Sequence, residues 1–127
     1  MWKDLASYII NQCTPSDKVV EVGAGKFLEV AANLKKHSKM NIILTDIKPS
    51  HEDIIQDDIT QANLRIYDGA SIIYSVRPPM ELHQAIMDLA QNIGAILIIK
   101  PLSGDTINTR QKMRLVNYKK AVFYVYP

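Results

Sequence analysis

The sequence has little cysteine and no long apolar segment. Cys13 is the only cysteine among 127 residues, so an internal disulfide is excluded and a reducing compartment is expected. No basic region followed by a long apolar stretch stands near the N-terminus, and apolar runs such as 95–99 are too short to span a bilayer. These absences predict a soluble, cytoplasmic protein without a membrane segment.

An excess of charge of one sign is also missing. The net charge is +2, and the only short basic runs are Lys35-Lys36 and Lys119-Lys120, which are expected on solvated surface. The chain has neither a basic stripe nor an aromatic platform motif, so nucleic acid is not indicated as a partner. We also predict no metal site.

Glycine is scarce, but two of the five glycines stand together in the segment 19–27, VVEVGAGKF. An apolar run containing Glu21 leads into Gly23 and Gly25, and a helical pattern follows at once. This order predicts a strand, a tight turn and a helix start, which form the nucleotide-facing corner of a βαβ unit. The first glycine permits a sharp turn, and the second lets a ligand approach the main chain.

Strands and helices are predicted to alternate along most of the chain. Apolar spacing of three and four residues predicts a first helix within the first dozen residues, and short apolar runs predict strands. The predicted strands are 18–22, 40–44, 54–55, 70–76 and 95–99, with helices near 27–37, 60–67 (capped by Thr60) and 80–92 (ended by Gly94). The sequence predicts a loop over 101–109. It also predicts a C-terminal antiparallel hairpin formed by 113–118 and 121–126, and the alternative is a helix over 111–118.

This alternation predicts a single α/β domain, 1–127, with a three-layer Rossmann-like, mostly parallel sheet. Ligands of such sheets bind outside the carboxyl ends of the strands, near the switch in strand order. The polar residues and glycines that follow the predicted strands should therefore converge at one edge of the sheet.

Three aspartates are candidates for a nucleoside at that edge. Asp46 stands 21 residues after Gly25, at the end of the second strand, where a carboxylate can accept hydrogen bonds from both hydroxyls of a ribose. Asp58 is placed to meet an adenine amino group, although a helix-cap role is nearly as well supported. Asp57 is a rival for either position.

Two cofactors compete for this corner. A nicotinamide dinucleotide turn favours a third glycine where Leu28 stands, and usually has an apolar residue in place of Glu21. NAD is therefore the less favoured alternative.

Glu21-Val22-Gly23-Ala24-Gly25, with Asp46 and Asp58 downstream, resembles the first three motifs of the Rossmann-like S-adenosylmethionine-dependent methyltransferases. The resemblance covers about residues 19–100. The combination of VEVGAG, TDI, DDIT and IIYSVRPP followed by EL is similar to a small, uncharacterised archaeal family of methyltransferase-like proteins.

The resemblance implies a cofactor, S-adenosylmethionine, and a set of residues around it. The acid of the first motif is expected near the methionine ammonium, that after the second strand at the ribose, and that after the third near the adenine. The cofactor-binding candidates are Glu21, Gly23, Ala24, Gly25, Asp46, Ile47, Asp57, Asp58 and Ile59.

The chain departs from the family after the fourth strand. Amino-directed methyltransferases carry Asn or Asp, two prolines and an aromatic residue there, whereas this chain has Arg77-Pro78-Pro79-Met80. Arg is only a hydrogen-bond donor and cannot accept from an amine, so amino methylation is not implied. Phe27 stands where many members have a third glycine. The substrate-pocket candidates are Tyr74, Ser75, Arg77 and Pro78, and Lys100 is expected near the pocket mouth or in solvent.

Three functions remain open on the sequence alone. The first is a methyltransferase of unknown acceptor, with no catalytic residue identified. The second is a non-catalytic nucleotide- or S-adenosylmethionine-binding or scaffold protein, and the third is an NAD-dependent enzyme. The short chain leaves no room for a separate substrate domain, so a homodimer partner or another protein is expected to complete an enzyme's pocket.

Overall fold

A computed structural model describes all 127 residues and contains one seven-stranded sheet. The longer helices are α1 (Trp2–Asn11), α2 (Glu29–His37) and α4 (His83–Ile93), and α3 (Leu64–Tyr67) is a single turn. Two further turns, Ile59–Gln61 and Met80–Leu82, are 3-10 helices. The strands are β1 (Lys18–Val22), β2 (Asn41–Asp46), β3 (Ile54–Gln56), β4 (Ile72–Val76), β5 (Ile96–Lys100), β6 (Arg114–Tyr118) and β7 (Ala121–Tyr126).

The strand order is β3-β2-β1-β4-β5-β7-β6. The first five strands are parallel, whereas β7 runs antiparallel to both β5 and β6. The chain moves outward from β1 through β2 to β3, and then returns to place β4 on the other side of β1. The strand order therefore switches between β1 and β4, and the carboxyl ends of both strands lie at the same edge of the sheet.

Each face of the sheet is covered by its own apolar layer. On one face α1 and α2 pack against the sheet through Leu5, Ile9 and Leu34. On the other face α4 packs through residues that include Ile86 and Met87. Because both faces are buried, the central strands are almost continuously apolar, as is typical of parallel sheets. The predicted three-layer α/β fold and the C-terminal antiparallel hairpin are confirmed.

Three predicted local structures differ from the observed ones. The helix predicted over 60–67 is two separate turns, and Thr60 caps neither, because Asp58 accepts the Thr60 N–H (2.9 Å) and Asn63 accepts the Arg65 N–H (3.2 Å). The helix predicted from residue 80 begins as a 3-10 turn, and its α-helical part starts at His83. The alternative helix over 111–118 is wrong, because β6 pairs along its whole length with β7.

The irregular segment between β5 and β6 is held against the start of α4. The buried His83 accepts the Asn108 N–H at Nδ1 (3.0 Å), and the Asn108 side chain donates to the carbonyl of Met80 (3.2 Å). Burial lowers the pKa of His83 and so favours the neutral ring that this contact needs. These contacts fix the turn that carries Leu82 towards the sheet edge. No helix of the chain is both long and apolar enough to cross a membrane.

Candidate functional site

The glycine turn after β1 is tied to the end of β2. Gly23 and Gly25 have φ values of 69° and 57°, which only glycine adopts without strain. The N–H of Ala24 donates to the Thr45 carbonyl (2.9 Å), and the N–H of Gly25 donates to the Asp46 carboxylate (2.6 Å). The turn is therefore held by fixed hydrogen bonds and does not depend on a ligand for its shape.

Asp46 lies at the junction of this turn and the following loop. One of its carboxylate oxygens accepts the Gly25 N–H, and the other accepts the Lys48 N–H (3.2 Å). A carboxylate oxygen has room for more than one donor, so Asp46 keeps free acceptor capacity while its orientation is fixed. It is half-buried and lines the cavity described below.

Asp57 and Asp58 are adjacent in sequence but differ in their contacts. One oxygen of Asp57 accepts the Asn63 N–H (3.1 Å), and the other accepts the hydroxyl of Tyr67 (2.6 Å). Asp58 uses a single oxygen, Oδ1, which accepts both the N–H and the hydroxyl of Thr60 (2.9 and 2.7 Å). The second oxygen of Asp58 has no partner in the protein, so only Asp58 has a wholly unused acceptor.

These elements enclose a cavity of about 320 Å³ at the carboxyl edge of the sheet, within the range of small-molecule sites. Its charged lining is entirely acidic, and its other wall residues are five hydrophobic residues, two threonines and a glycine. Ile47 is 57% exposed, which is high for a large apolar residue. The lining residues are Val22, Gly23, Thr45, Asp46, Ile47, Asp57, Asp58, Ile59, Thr60, Tyr67 and Leu82.

Glu21 lies in β1 and is only 1% exposed. Its carboxyl accepts a hydrogen bond from the Tyr74 hydroxyl (2.6 Å), across the pairing of β1 with β4. The pKa of Glu21 is raised from 4.5 to about 7, chiefly by burial and also by the nearby Asp46 charge, and the Tyr74 hydrogen bond opposes part of this rise. Glu21 therefore changes its charge near neutral pH, although it does not line the cavity.

Of the four predicted substrate-pocket residues, three are buried. Tyr74 is fully buried and bonded to Glu21, and the Ser75 hydroxyl donates to the carbonyl of Val22 (2.7 Å). Pro78 is buried as well. The alternation of a strand places Tyr74 in the core, and the Ser75 hydroxyl bonds to β1, so neither side chain faces an open pocket. Only Arg77 is exposed.

The predicted site residues and the residues that line the cavity overlap only in part. Lys100 does not reach into the cavity, because its ammonium group donates to the carbonyl of Val122 (2.8 Å). Ala24 and Gly25 belong to the turn but not to the cavity wall. Five residues line the cavity without having been predicted to do so: Val22, Thr45, Thr60, Tyr67 and Leu82.

Little in the local sequence indicates that these five residues line a cavity. Tyr67 reaches the site through hydrogen bonds to Asp57 and Thr45, which depend on the path of the chain after β3. Leu82 follows the apolar pattern of α4, and that pattern equally predicts a core position. No spacing in the sequence distinguishes residues that line a cavity from residues that pack in the core.

The buried Glu21 should make folding stability depend on pH. Its pKa is higher in the folded than in the unfolded state, so the protonated group contributes to folding stability. This contribution is fully present below pH 4.5 and is lost as the pH rises to about 7. Glu21→Gln cannot ionise and its carbonyl oxygen still accepts from Tyr74. The quantity to compare is the free energy of unfolding of the variant minus that of the wild type. We expect this difference to be about 2–3 kcal/mol larger at pH 8 than at pH 4.5. Urea denaturation at both pH values measures this difference.

The matched control is Glu52→Gln, because Glu52 is an exposed glutamate in the loop before β3. Its pH profile should follow that of the wild type. Parallel profiles for Glu21→Gln and the wild type between pH 4.5 and 8 would contradict the raised pKa of Glu21.

Tyr67→Phe should destabilise the fold. The variant removes the hydroxyl that donates to Asp57 and lies 3.3 Å from the Thr45 hydroxyl, and it leaves a partly buried carboxylate with one donor fewer. We expect a loss of about 1–3 kcal/mol in the free energy of unfolding, measured by urea denaturation at pH 7. Tyr124→Phe on β7 is the control, since Tyr124 is half-buried and bonds to no carboxylate. Equal losses in both variants would show that the hydrogen bond from Tyr67 to Asp57 adds no stability beyond that of a tyrosine hydroxyl without a carboxylate partner.

The chain is similar to both sequenced and solved proteins. Residues 2–127 match the Uncharacterised protein family (UPF0146). A UPF0146 protein of Methanothermobacter thermautotrophicus is 56% identical over 126 residues, which cover 99% of this chain and 95% of that protein.

Two solved structures share the fold. One is a Methanococcus maripaludis protein assigned as an S-adenosyl-L-methionine-dependent methyltransferase, with a TM-score of 0.66 at 12% identity over 98% of this chain and 83% of the other. The second is an S-adenosyl-L-methionine methyl transferase of Silicibacter pomeroyi, with a TM-score of 0.63 at 15% identity over 96% and 89%. The resemblance stated from the motifs is confirmed: this chain belongs to the archaeal UPF0146 family and has a methyltransferase-type fold.

Proposed function

We propose that this protein binds S-adenosylmethionine in the cavity at the carboxyl edge of the sheet. The observation that carries the proposal is the combination of an exposed glycine turn with a cavity whose only charged wall residues are Asp46, Asp57 and Asp58. Such a lining suits a nucleoside that carries positive charge and no phosphate. S-adenosylmethionine is a nucleoside of this kind, with a sulfonium and an ammonium group.

The adenosine part has matching groups in the cavity. Asp46 is oriented by two backbone N–H groups and keeps acceptor capacity for ribose hydroxyls. Ile47, Ile59 and Leu82 give apolar walls for a base. Asp58 has an unused oxygen that can accept from an adenine amino group, whereas both oxygens of Asp57 are engaged by the protein. These contacts favour Asp58 for the adenine and a supporting role for Asp57.

The methionyl part would lie over the glycine turn, towards the switch between β1 and β4. Gly23 has no side chain and is exposed, so a ligand can contact the main chain there. A Cβ at this position would meet only the Ser75 hydroxyl at 3.9 Å, so the surface over the turn is open to a ligand, while the positive φ of Gly23 disfavours any side chain. Glu21 lies beneath this turn, and its anionic form would attract an ammonium group.

The same features disfavour a dinucleotide. A pyrophosphate needs a helix N-terminus close to the turn, but α2 begins only at Glu29, and that residue places a negative charge in its first turn. Leu28 also packs against the buried Ala31 and Leu44, so it is part of the core and not of a phosphate loop. Acidic residues on the cavity wall would further repel phosphate groups.

Methyl transfer is the activity that this cofactor would serve. Bound S-adenosylmethionine supplies a methyl group already activated by the sulfonium, so the protein must chiefly position an acceptor in line with it. Arg77, the exposed residue directly after β4, cannot act as a general base, and this is compatible with that requirement. Completion of the pocket by a second copy or another protein remains a prediction.

A second candidate is non-catalytic binding of the same ligand. It is favoured by one observation: Tyr74 and Ser75 are buried, so the exposed side chain directly after β4 is the donor-only Arg77. Radiolabelled S-adenosylmethionine incubated with oxyanion-bearing acceptors distinguishes the two functions, because only the enzyme would release S-adenosylhomocysteine in an acceptor-dependent way.

Calorimetric titration tests the proposed ligand. We expect S-adenosylmethionine and S-adenosylhomocysteine to bind and NAD not to bind. Asp46→Asn should weaken binding of both by about 1–3 kcal/mol, because an acceptor and a charge are lost at the ribose. Asp53→Asn is the matched control, since Asp53 is exposed and lies outside the cavity. Binding of NAD alone, or equal affinity of Asp46→Asn and the wild type, would overturn the assignment.

A pair of variants separates the two neighbouring aspartates. Asp58→Asn should weaken adenosine binding with little change in stability, because its free oxygen faces no protein donor. Asp57→Asn should chiefly reduce the free energy of unfolding, by about 1–2 kcal/mol, since Tyr67 and Asn63 donate to that carboxylate. Adenosine calorimetry and urea denaturation of both variants measure the two effects. The reverse pattern would place Asp57, and not Asp58, at the adenine.

A further inference from the structure

Arg77 follows directly after β4, at the same sheet edge as the glycine turn. Its guanidinium carbon lies 4.9 Å from the centre of the Phe27 ring and 5.4 Å from that of the Trp2 ring. The two rings are themselves in edge contact, with centroids 4.8 Å apart. Phe27 comes from the glycine turn and Trp2 from α1, so two distant segments meet to form an aromatic seat for this guanidinium.

The guanidinium has no anionic partner in the protein. The two ion pairs of the structure join His51 to Asp53 and Arg110 to Asp88, and neither involves Arg77. The contacts with the two rings use no hydrogen-bond donor, so the N–H groups of the guanidinium stay available for a ligand. Arg77 is also exposed. The arrangement therefore presents a fixed, planar set of donors to a ligand.

The backbone conformation at Arg77 indicates a functional role for its side chain. Its φ of 54° lies in the left-handed region, which is unfavourable for a residue with a long side chain. Glycine would meet this backbone requirement without strain. An arginine held in such a conformation at the edge of a candidate site points to use of its side chain.

Arg77 lies on the opposite side of the strand-order switch from the nucleoside cavity. The cavity is formed mainly after β1, β2 and β3, whereas Arg77 follows β4. Arg77 and the exposed Lys26 of the glycine turn are cationic, whereas the three charged residues of the cavity are aspartates. A ligand that extends across the switch would meet an acidic wall at one end and a cationic group at the other.

We propose that Arg77, seated on Trp2 and Phe27, binds a carboxylate or phosphate oxyanion of the methyl acceptor. A guanidinium edge binds such groups through paired, charge-assisted hydrogen bonds. The assignment to an acceptor rests on the proposed S-adenosylmethionine site, whereas the anion site itself does not. The acceptor class is thus anionic, in contrast to the amines recognised by an Asn or Asp at the corresponding position.

The only tryptophan of the chain provides a direct probe, because Trp2 forms part of the seat. Its fluorescence is measured during titration with inorganic phosphate, and separately with acetate, at constant ionic strength maintained with chloride. We expect a saturable change in the wild type. Arg77→Gln should weaken the response about tenfold or more, and Arg77→Lys should weaken it less, because the charge stays while the paired donors are lost.

Two further variants serve as controls. Arg77→Gly accepts the positive φ without strain, so its loss of the response cannot be ascribed to a distorted backbone. Lys3→Gln removes an exposed positive charge next to Trp2 in sequence and should leave the response within about twofold of the wild type. A wild-type response no larger than that to chloride, or an unchanged response in Arg77→Gly, would overturn the anion site.

Saturating S-adenosylhomocysteine distinguishes the source of the oxyanion. Persistence of the phosphate response in its presence supports an acceptor site. Loss of the response would overturn the acceptor assignment, because Arg77 would then bind the carboxylate of the cofactor itself. Failure of S-adenosylhomocysteine to bind in calorimetry, together with a preserved phosphate response, would remove the proposed function and the acceptor assignment but leave the anion site standing.

Discussion

The parallel pairing of β1 with both β2 and β4 is the constraint on which the site depends. It places the carboxyl ends of three neighbouring strands at one edge of the sheet and reverses the strand order between β1 and β4. The glycine turn, Asp46 and Arg77 follow these strand ends, so residues up to 54 positions apart in sequence meet in one region. A change in this pairing would separate all of them at once.

The glycine turn is supported from two directions. Asp46 accepts the Gly25 N–H from the side of β2, and the Ser75 hydroxyl donates to the Val22 carbonyl from the side of β4. These bonds satisfy main-chain groups that would otherwise be unpaired at the end of a buried strand. The turn is consequently preorganised, and a ligand would not have to supply the energy of ordering it.

Glu21 places an ionisable group in the core of the sheet, where most side chains are apolar. A carboxyl group in a central strand is costly to ionise, and the Tyr74 hydroxyl offsets only part of that cost. Such a group responds strongly to a nearby cation, since a positive ligand would favour the charged form. Binding of a cationic ligand at the turn would therefore change the charge state of Glu21.

The sequence by itself determined the order of strands and helices, the glycine corner and the family resemblance. These features depend on local periodicity, on the special backbone freedom of glycine and on short motifs. The aspartates that follow the strands could be named for the same reason, because parallel topology places strand ends together.

Only the tertiary structure decided what each candidate side chain contacts. Tyr74 and Ser75 were predicted beside a substrate, but contacts between β1 and β4 bury both of them. Asp57 and Asp58 look equivalent in sequence, and the fold distinguishes them by bringing Tyr67 to one alone. The seat of Arg77 is likewise formed by Trp2 and Phe27 from separate segments. Local patterns carry no information on such long-range contacts, because packing and hydrogen bonding between distant elements arise only when the chain is folded.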